Sequence, residues 1–113
     1  MNRVVYLLQF RTKPLTKNFG DIIIKRLTSG EPLKEGVRIL DIYYLNGFYD
    51  VFIKFSAPDH ITAKRYYETI RAIYKDYFLD DPLLLKINFP LIKRGKLNPE
   101  LEKLYDFMPK IED

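Results

Sequence analysis

Two β-rich runs broken by a single Asn-Gly pair constrain this chain more than any other feature. Val37, Ile39, Leu40, Ile42, Tyr43, Tyr44 and Leu45 form the first run, while in the second Tyr49, Val51, Ile53 and Phe55 alternate with Phe48, Asp50, Phe52 and Lys54. Asn46-Gly47 lies between them, and both residues tolerate positive φ, so the spacing predicts an antiparallel hairpin closed by a tight turn. The strict alternation places Ile53 and Phe55 in a core.

The remaining elements are read outward from that hairpin. Val4 to Leu8 and Phe10 form an uninterrupted apolar run of β-formers between Arg3 and Arg11, ended by Pro14. Apolar character at consecutive positions implies a strand buried on both faces. Asn18 offers an N-cap, Asp21 an acid in the first turn, and Phe19, Ile22, Ile23 and Leu27 repeat at helical spacing until Gly30, which stands where a left-handed C′ glycine is expected. Glu31-Pro32 to Gly36 reads as a turn. After the hairpin, Ser56-Ala57-Pro58 stops the strand and Asp59 is placed as an N-cap. Ala63, Tyr66, Tyr67, Ile70, Ile73, Tyr74 and Tyr77 then mark an amphipathic helix of about five turns. Its polar face sets Lys64 one turn from Glu68, a pairing distance. Asp80-Asp81-Pro82 ends it. Leu83, Leu85, Ile87 and Phe89 give a last strand closed by Pro90, Lys93-Arg94-Gly95-Lys96 reads as a polar loop, and Asn98-Pro99 opens a short helix with Leu101, Leu104, Tyr105 and Met108.

The order β-α-β-β-α-β with a short terminal helix predicts one α+β domain over residues 1–113, a ferredoxin-like fold with two helices on one face of a four-stranded antiparallel sheet. Two helices cover one face, yet the first two strands are apolar on both. A second copy over the open face is the expected cover, with the C-terminal helix as the competing lid.

Composition limits the chemistry. At 113 residues, with 47% hydrophobic content, the chain is long enough to bury a core without a metal or disulfide. It has no cysteine, which excludes a disulfide framework, a thiolate zinc site, an iron–sulfur cluster and a cysteine nucleophile. His60 is the only histidine, so one chain cannot build a histidine metal cluster. Beside Asp59 at a helix start it reads as a solvated first-turn residue. Asp80-Asp81 reads as a helix-stop turn, since no third oxygen ligand stands nearby. The tyrosines Tyr43, Tyr44, Tyr66, Tyr67, Tyr74 and Tyr77 read as core and rim. The expectation is a non-enzyme with no catalytic residue, no metal and no cofactor. The run Val4–Leu8 is too short to cross a membrane and lacks a secretory cleavage site, which predicts a soluble cytoplasmic protein without a membrane partner.

Net charge is +4, all of it within residues 1–36, where seven Lys/Arg face three Asp/Glu. A nucleic-acid-binding domain is the alternative function that this charge allows. Phosphate contacts would then come from Arg3, Arg11, Lys13, Lys17, Lys25 and Arg26 together with Lys93, Arg94 and Lys96, although the Gly-aromatic signature of the RNA-recognition motif is missing from the strands.

The stretch Leu45-Asn46-Gly47-Phe48-Tyr49-Asp50 to Phe55, followed by Ala57-Pro58-Asp59 and a helix, resembles the Gly-x-Tyr-Asp turn and following helix start in the ligand-binding domain of the Lrp/AsnC (leucine-responsive) regulators. The matching element order covers roughly Arg3 to Phe89. The chain carries no helix-turn-helix ahead of this module, so the resemblance is to a stand-alone version, and the tail from Lys93 onward lies outside the family's pattern. The resemblance implies a dimeric α+β barrel linked to transcription regulation. It also implies amino-acid-like effectors held at subunit interfaces and association with a DNA-binding paralogue. Residue by residue it carries over Gly47, Tyr49 and Asp50. Gly47 would permit close backbone approach, and Asp50 would accept from a ligand ammonium.

Overall fold

The computed structural model describes residues 3–13 and 19–106. Strand β1 (Val4–Phe10) leads to helix α1 (Phe19–Thr28), a one-turn helix α2 (Glu31–Lys34), strands β2 (Arg38–Tyr44) and β3 (Val51–Ala57), helix α3 (His60–Ile73) and strand β4 (Leu83–Lys86). A small hairpin, β5 (Ile92–Lys93) and β6 (Lys96–Leu97), and a 3-10 helix over Leu101–Asp106 complete it. The sheet runs β2-β3-β1-β4, and every neighbouring pair is antiparallel. Each helical connection therefore joins two strands that are not neighbours: β3 lies between β1 and β2, and β1 lies between β3 and β4.

Register decides which side chains make the core. Tyr6 sits opposite Phe55 and Leu8 opposite Ile53, so alternate residues of the two central strands fill one face. Tyr6, Leu8, Phe10, Ile53, Phe55 and Ala57 are fully buried there against Ile23 and Leu27 of α1 and Ala63, Tyr66 and Ile70 of α3. The rings of Tyr6 and Phe55 stack at 5.6 Å, and Phe55 meets Tyr66 edge-on at 5.3 Å. Ile53 and Phe55 occupy the positions their alternation predicts. The opposite face presents Val5, Leu7, Phe52, Tyr43, Leu83 and Leu85 together with the polar Gln9, Arg38, Asp41 and Lys54, and only Ser56 is buried on it. Arg3 closes over Ser56, its Nε donating to Oγ at 2.9 Å and its Nη2 to the carbonyls of Ser56 and Gly36.

Several local expectations are corrected. Gly30 has φ −75° and caps α2 rather than serving as a left-handed C′ residue, because the chain turns directly into the second helix. Gly36 is the glycine that needs its freedom: its φ is +81°, and a Cβ there would lie 3.2 Å from Thr62 Cγ2. Strand β3 runs on to Ala57 because β1 continues opposite it to Val4. Helix α3 is regular only to Ile73, and a turn then lets Phe78 reach Phe10 at 4.9 Å. Glu68 pairs with Arg71 instead of Lys64. Strand β4 has four residues because only Leu83–Lys86 face β1. The expected Lys93–Lys96 loop is the β5–β6 hairpin. Asn18, the expected first N-cap, and Met108 lie outside the described residues.

Candidate functional site

The connection between β2 and β3 holds the residues expected to bind an effector. It is a six-residue excursion, 45–50, in which the Leu45 amide donates to the Asp50 carbonyl at 2.7 Å. Neither Asn46 nor Gly47 has positive φ, so the expected tight two-residue turn is replaced by a wider one. The reason lies in a contact from the end of β1. Thr12 donates both its amide, at 2.7 Å, and its hydroxyl, at 2.9 Å, to Asp50 Oδ2, while the Asp50 amide donates to the Phe10 carbonyl at 3.0 Å. Pinning Asp50 in this way fixes where β3 begins.

Gly47 stands in open space, where a Cβ would have nothing within 4 Å among the described residues, so the turn itself does not require a glycine there. Phe48 is 66% exposed and carries the Arg11 guanidinium over its ring, 4.1 Å from the centroid. Tyr49 is half-buried and meets Phe48 edge-on at 5.1 Å. Arg11 in turn pairs with Asp80 at 3.0 Å. Beside the turn, an apolar groove of about 290 Å³ is lined by Ile23, Ile24, Ile42, Tyr43, Tyr44 and Val51. Gly47, Tyr49 and Asp50 are not among its walls.

The basic residues considered for phosphate contact are dispersed. Arg11 is tied to Asp80 and Arg26 to Glu35, at 3.3 Å. Lys13 bonds through its amide to the Tyr77 carbonyl in the β1–α3 region, Lys25 is exposed in the last turn of α1, and Lys17 lies outside the described residues. Lys93, Arg94 and Lys96 alone stand together, all exposed on the β5–β6 hairpin.

A cleft of about 410 Å³ lies between the second half of α3 and Asp80-Asp81. Its charges are largely committed to one another: Arg71 Nε donates to Asp81 Oδ1 at 2.9 Å and Nη2 to Oδ2 at 3.3 Å. This pairing, with Glu68 beside it, raises the Arg71 pKa. Asp80 and Asp81 thus act as ion-pair partners of β1 and α3. His60 is exposed, but its Nδ1 shares a 3.2 Å hydrogen bond with the Tyr6 hydroxyl. Burial, and then Asp59, pushes the Tyr6 pKa up. Asp59 caps α3 as expected, accepting from the Thr62 amide at 2.7 Å, and that bond holds its carboxyl below the usual range. No group of three or more His, Cys, Asp or Glu able to hold a metal ion occurs among the described residues.

Two features had no counterpart in the sequence reading. One is a buried polar cluster behind α1, where Arg26 Nε, Glu35 Oε2 and the Tyr66 hydroxyl are enclosed without a hydrogen-bond partner among the described residues. Burial is the main cause that drives the Tyr66 pKa far upward, and Glu35 adds to it. The other is the β5–β6 pairing itself: Lys93, Arg94 and Lys96 are expected on a loop, and the structure sets them on a hairpin whose only local signal is Arg94-Gly95. Tyr44 also departs from expectation: it is 79% exposed, whereas Tyr66 and Tyr74 are in the core.

No protein-family model matches the chain, and no curated protein or solved structure is similar to it at a significant level. No helix among the described residues is long and apolar enough to cross a membrane.

Proposed function

We propose that this chain is a non-catalytic assembly module that pairs with a second copy through the open face of its sheet. The strand order β2-β3-β1-β4, with helices joining non-adjacent strands, supports a ferredoxin-like assignment. The single observation that carries the function is the face opposite the helices. Val5, Leu7 and Phe52 form its apolar centre beside Gln9 and Lys54, and Tyr43, Leu83 and Leu85, each at least 39% exposed, form its flanks, with Arg38 and Asp41 at the β2 edge. Apolar area of this kind is favourable to remove from water at roughly 25 cal/mol per Å², and a sheet face accepts another sheet at about 10 Å.

A role in transcription regulation, with an amino-acid-like effector and a DNA-binding paralogue as partners, follows from the resemblance to Lrp/AsnC domains. Thr12 takes only Oδ2 of Asp50, which leaves Oδ1 to accept from a ligand ammonium. The apolar groove ending at Tyr44 and Val51 would take the ligand's side chain.

Light-scattering mass measurement on Leu83→Glu/Leu85→Glu tests the assembly reading. The wild type is expected at twice the 13.5 kDa chain mass and the variant at the chain mass, with Leu33→Glu, a change 65% exposed on α2, as the unaffected control. A wild type and double variant of equal mass would reject the interface.

A further inference from the structure

We infer that the β5–β6 hairpin is a contact surface for the phosphate backbone of a nucleic acid. The inference does not depend on self-association, because the hairpin lies outside the four-stranded sheet.

The starting point is charge. Residues 82–99 contain Lys86, Lys93, Arg94 and Lys96 and no acidic residue, in a chain that elsewhere mixes both signs. Three of these cations fall within four residues of one hairpin, all exposed, and no ion pair engages them among the described residues. Arg11, Arg26 and Arg71, by contrast, are each paired with a carboxylate.

Register adds a second observation. Lys93 is directly opposite Lys96, and Ile92 is opposite Leu97. Paired residues share a face and successive residues alternate, so the two lysines project together on one face. Like charges directly opposite each other destabilise a strand pair. An anion accepting from both ammonium groups turns that repulsion into attraction.

The turn adds a third. Arg94 has φ +53° and Gly95 φ +76°, the two left-handed positions of a tight hairpin. Glycine, asparagine or aspartate fits the first of these at lower cost than arginine. The chain thus places a third cation at the tip, in the one left-handed non-glycine conformation among the described residues. Asn98 fixes the base, its amide donating to the Leu91 carbonyl at 2.9 Å and its Nδ2 to the Pro90 carbonyl at 2.7 Å. The tip is thereby held in place.

Nucleic acid fits this surface better than an anionic membrane. Ile92 and Leu97 lie on the face opposite the two lysines, whereas interfacial membrane elements set their cations beside the apolar side chains that enter the lipid. The hairpin carries no aromatic residue on which a base would stack, so the contact is with phosphate and is indifferent to sequence.

Fluorescence anisotropy of the full chain with labelled single-stranded RNA and DNA of the same mixed sequence tests this. Lys93→Gln/Lys96→Gln removes two phosphate contacts and should reduce the slope of log affinity against log salt by about 1.4. Lys93→Glu, which changes the net charge by the same two units, should also lower the affinity while leaving the melting temperature unchanged or raised, since it pairs with Lys96. RNA and DNA binding alike, with both losses, would support the backbone contact. An affinity and slope unchanged in the double variant would overturn it, as would no binding by the wild type at about 50 mM salt. Capture by phosphatidylglycerol vesicles with no binding to either oligonucleotide would also overturn it, in favour of a lipid surface.

Discussion

Replacing Asp50 by alanine removes the acceptor that joins the β2–β3 connection to the end of β1. Two donors from Thr12 converge on one half-buried carboxylate oxygen, at 2.7 and 2.9 Å. Hydrogen bonds to charged groups contribute about 1.5–3 kcal/mol each in net stability. Because the two share an oxygen and water reaches the site, the loss should lie nearer one full bond than two, about 2–3 kcal/mol. Asp50→Asn keeps a carbonyl for the Thr12 amide and gives up the charge, so it should cost about 1 kcal/mol. For a domain of this size 1 kcal/mol corresponds to a shift of about 4 °C, which makes the alanine variant melt roughly 8–12 °C lower. Urea unfolding and calorimetry measure both. Asp80→Ala is the internal comparison, because the Arg11–Asp80 pair is exposed and such pairs contribute about 0–1 kcal/mol. An Asp50→Ala variant within about 0.5 kcal/mol of wild type would show that the Thr12 contact does not hold the turn, and an amino-acid panel run alongside would report any effector through Oδ1.

Phe55→Ala, at a fully buried ring between Tyr6 and Tyr66, should cost about 3–5 kcal/mol by denaturant melts; a cost below about 1 kcal/mol would contradict the register of β3. Tyr66→Phe removes a buried hydroxyl with no partner among the described residues and should leave stability equal or raised, whereas a loss above about 1 kcal/mol would show that the hydroxyl is bonded. The folded pKa of Tyr66 lies above its unfolded value of 10.0, so its stabilising contribution is complete below pH 10 and is lost as the pH rises towards the folded value. Melts between pH 8 and pH 11 should show the fall, and Tyr66→Phe should reduce it without abolishing it, since Tyr6, Tyr67 and Tyr74 are raised in the same direction. Asp59 behaves oppositely: its carboxyl is depressed from 3.8 by the Thr62 amide, so its contribution holds above that pH and disappears as acid titrates the folded form. Asp59→Ala should remove that part of the acid transition.

What the sequence made legible was local or periodic. The alternation around Ile53 and Phe55 identified the core strand, and Asp59 announced its helix, because each effect acts within a few residues. Asn46-Gly47 misled for the opposite reason. A tight turn was the best local solution, but the Asp50 side chain bonds to Thr12, 38 positions earlier, and a contact so distant leaves no mark on the turn's own residues. Strands β5 and β6 have two residues each, too few for any period, so the hairpin read as a loop. The same limit applies to the candidate sites. Gly47, Tyr49 and Asp50 are placed together by adjacency, but only the fold separates Arg11 and Arg26, neutralised by Asp80 and Glu35, from the hairpin cations, which have no ion pair among the described residues.

Sedimentation equilibrium of the wild-type chain over the micromolar range tests the central claim most directly. If a second copy covers the open sheet face through its apolar residues, the mass is twice 13.5 kDa and does not fall between about 0.1 and about 1 M salt, since apolar contacts are not screened. A single species at the chain mass throughout that range would contradict it.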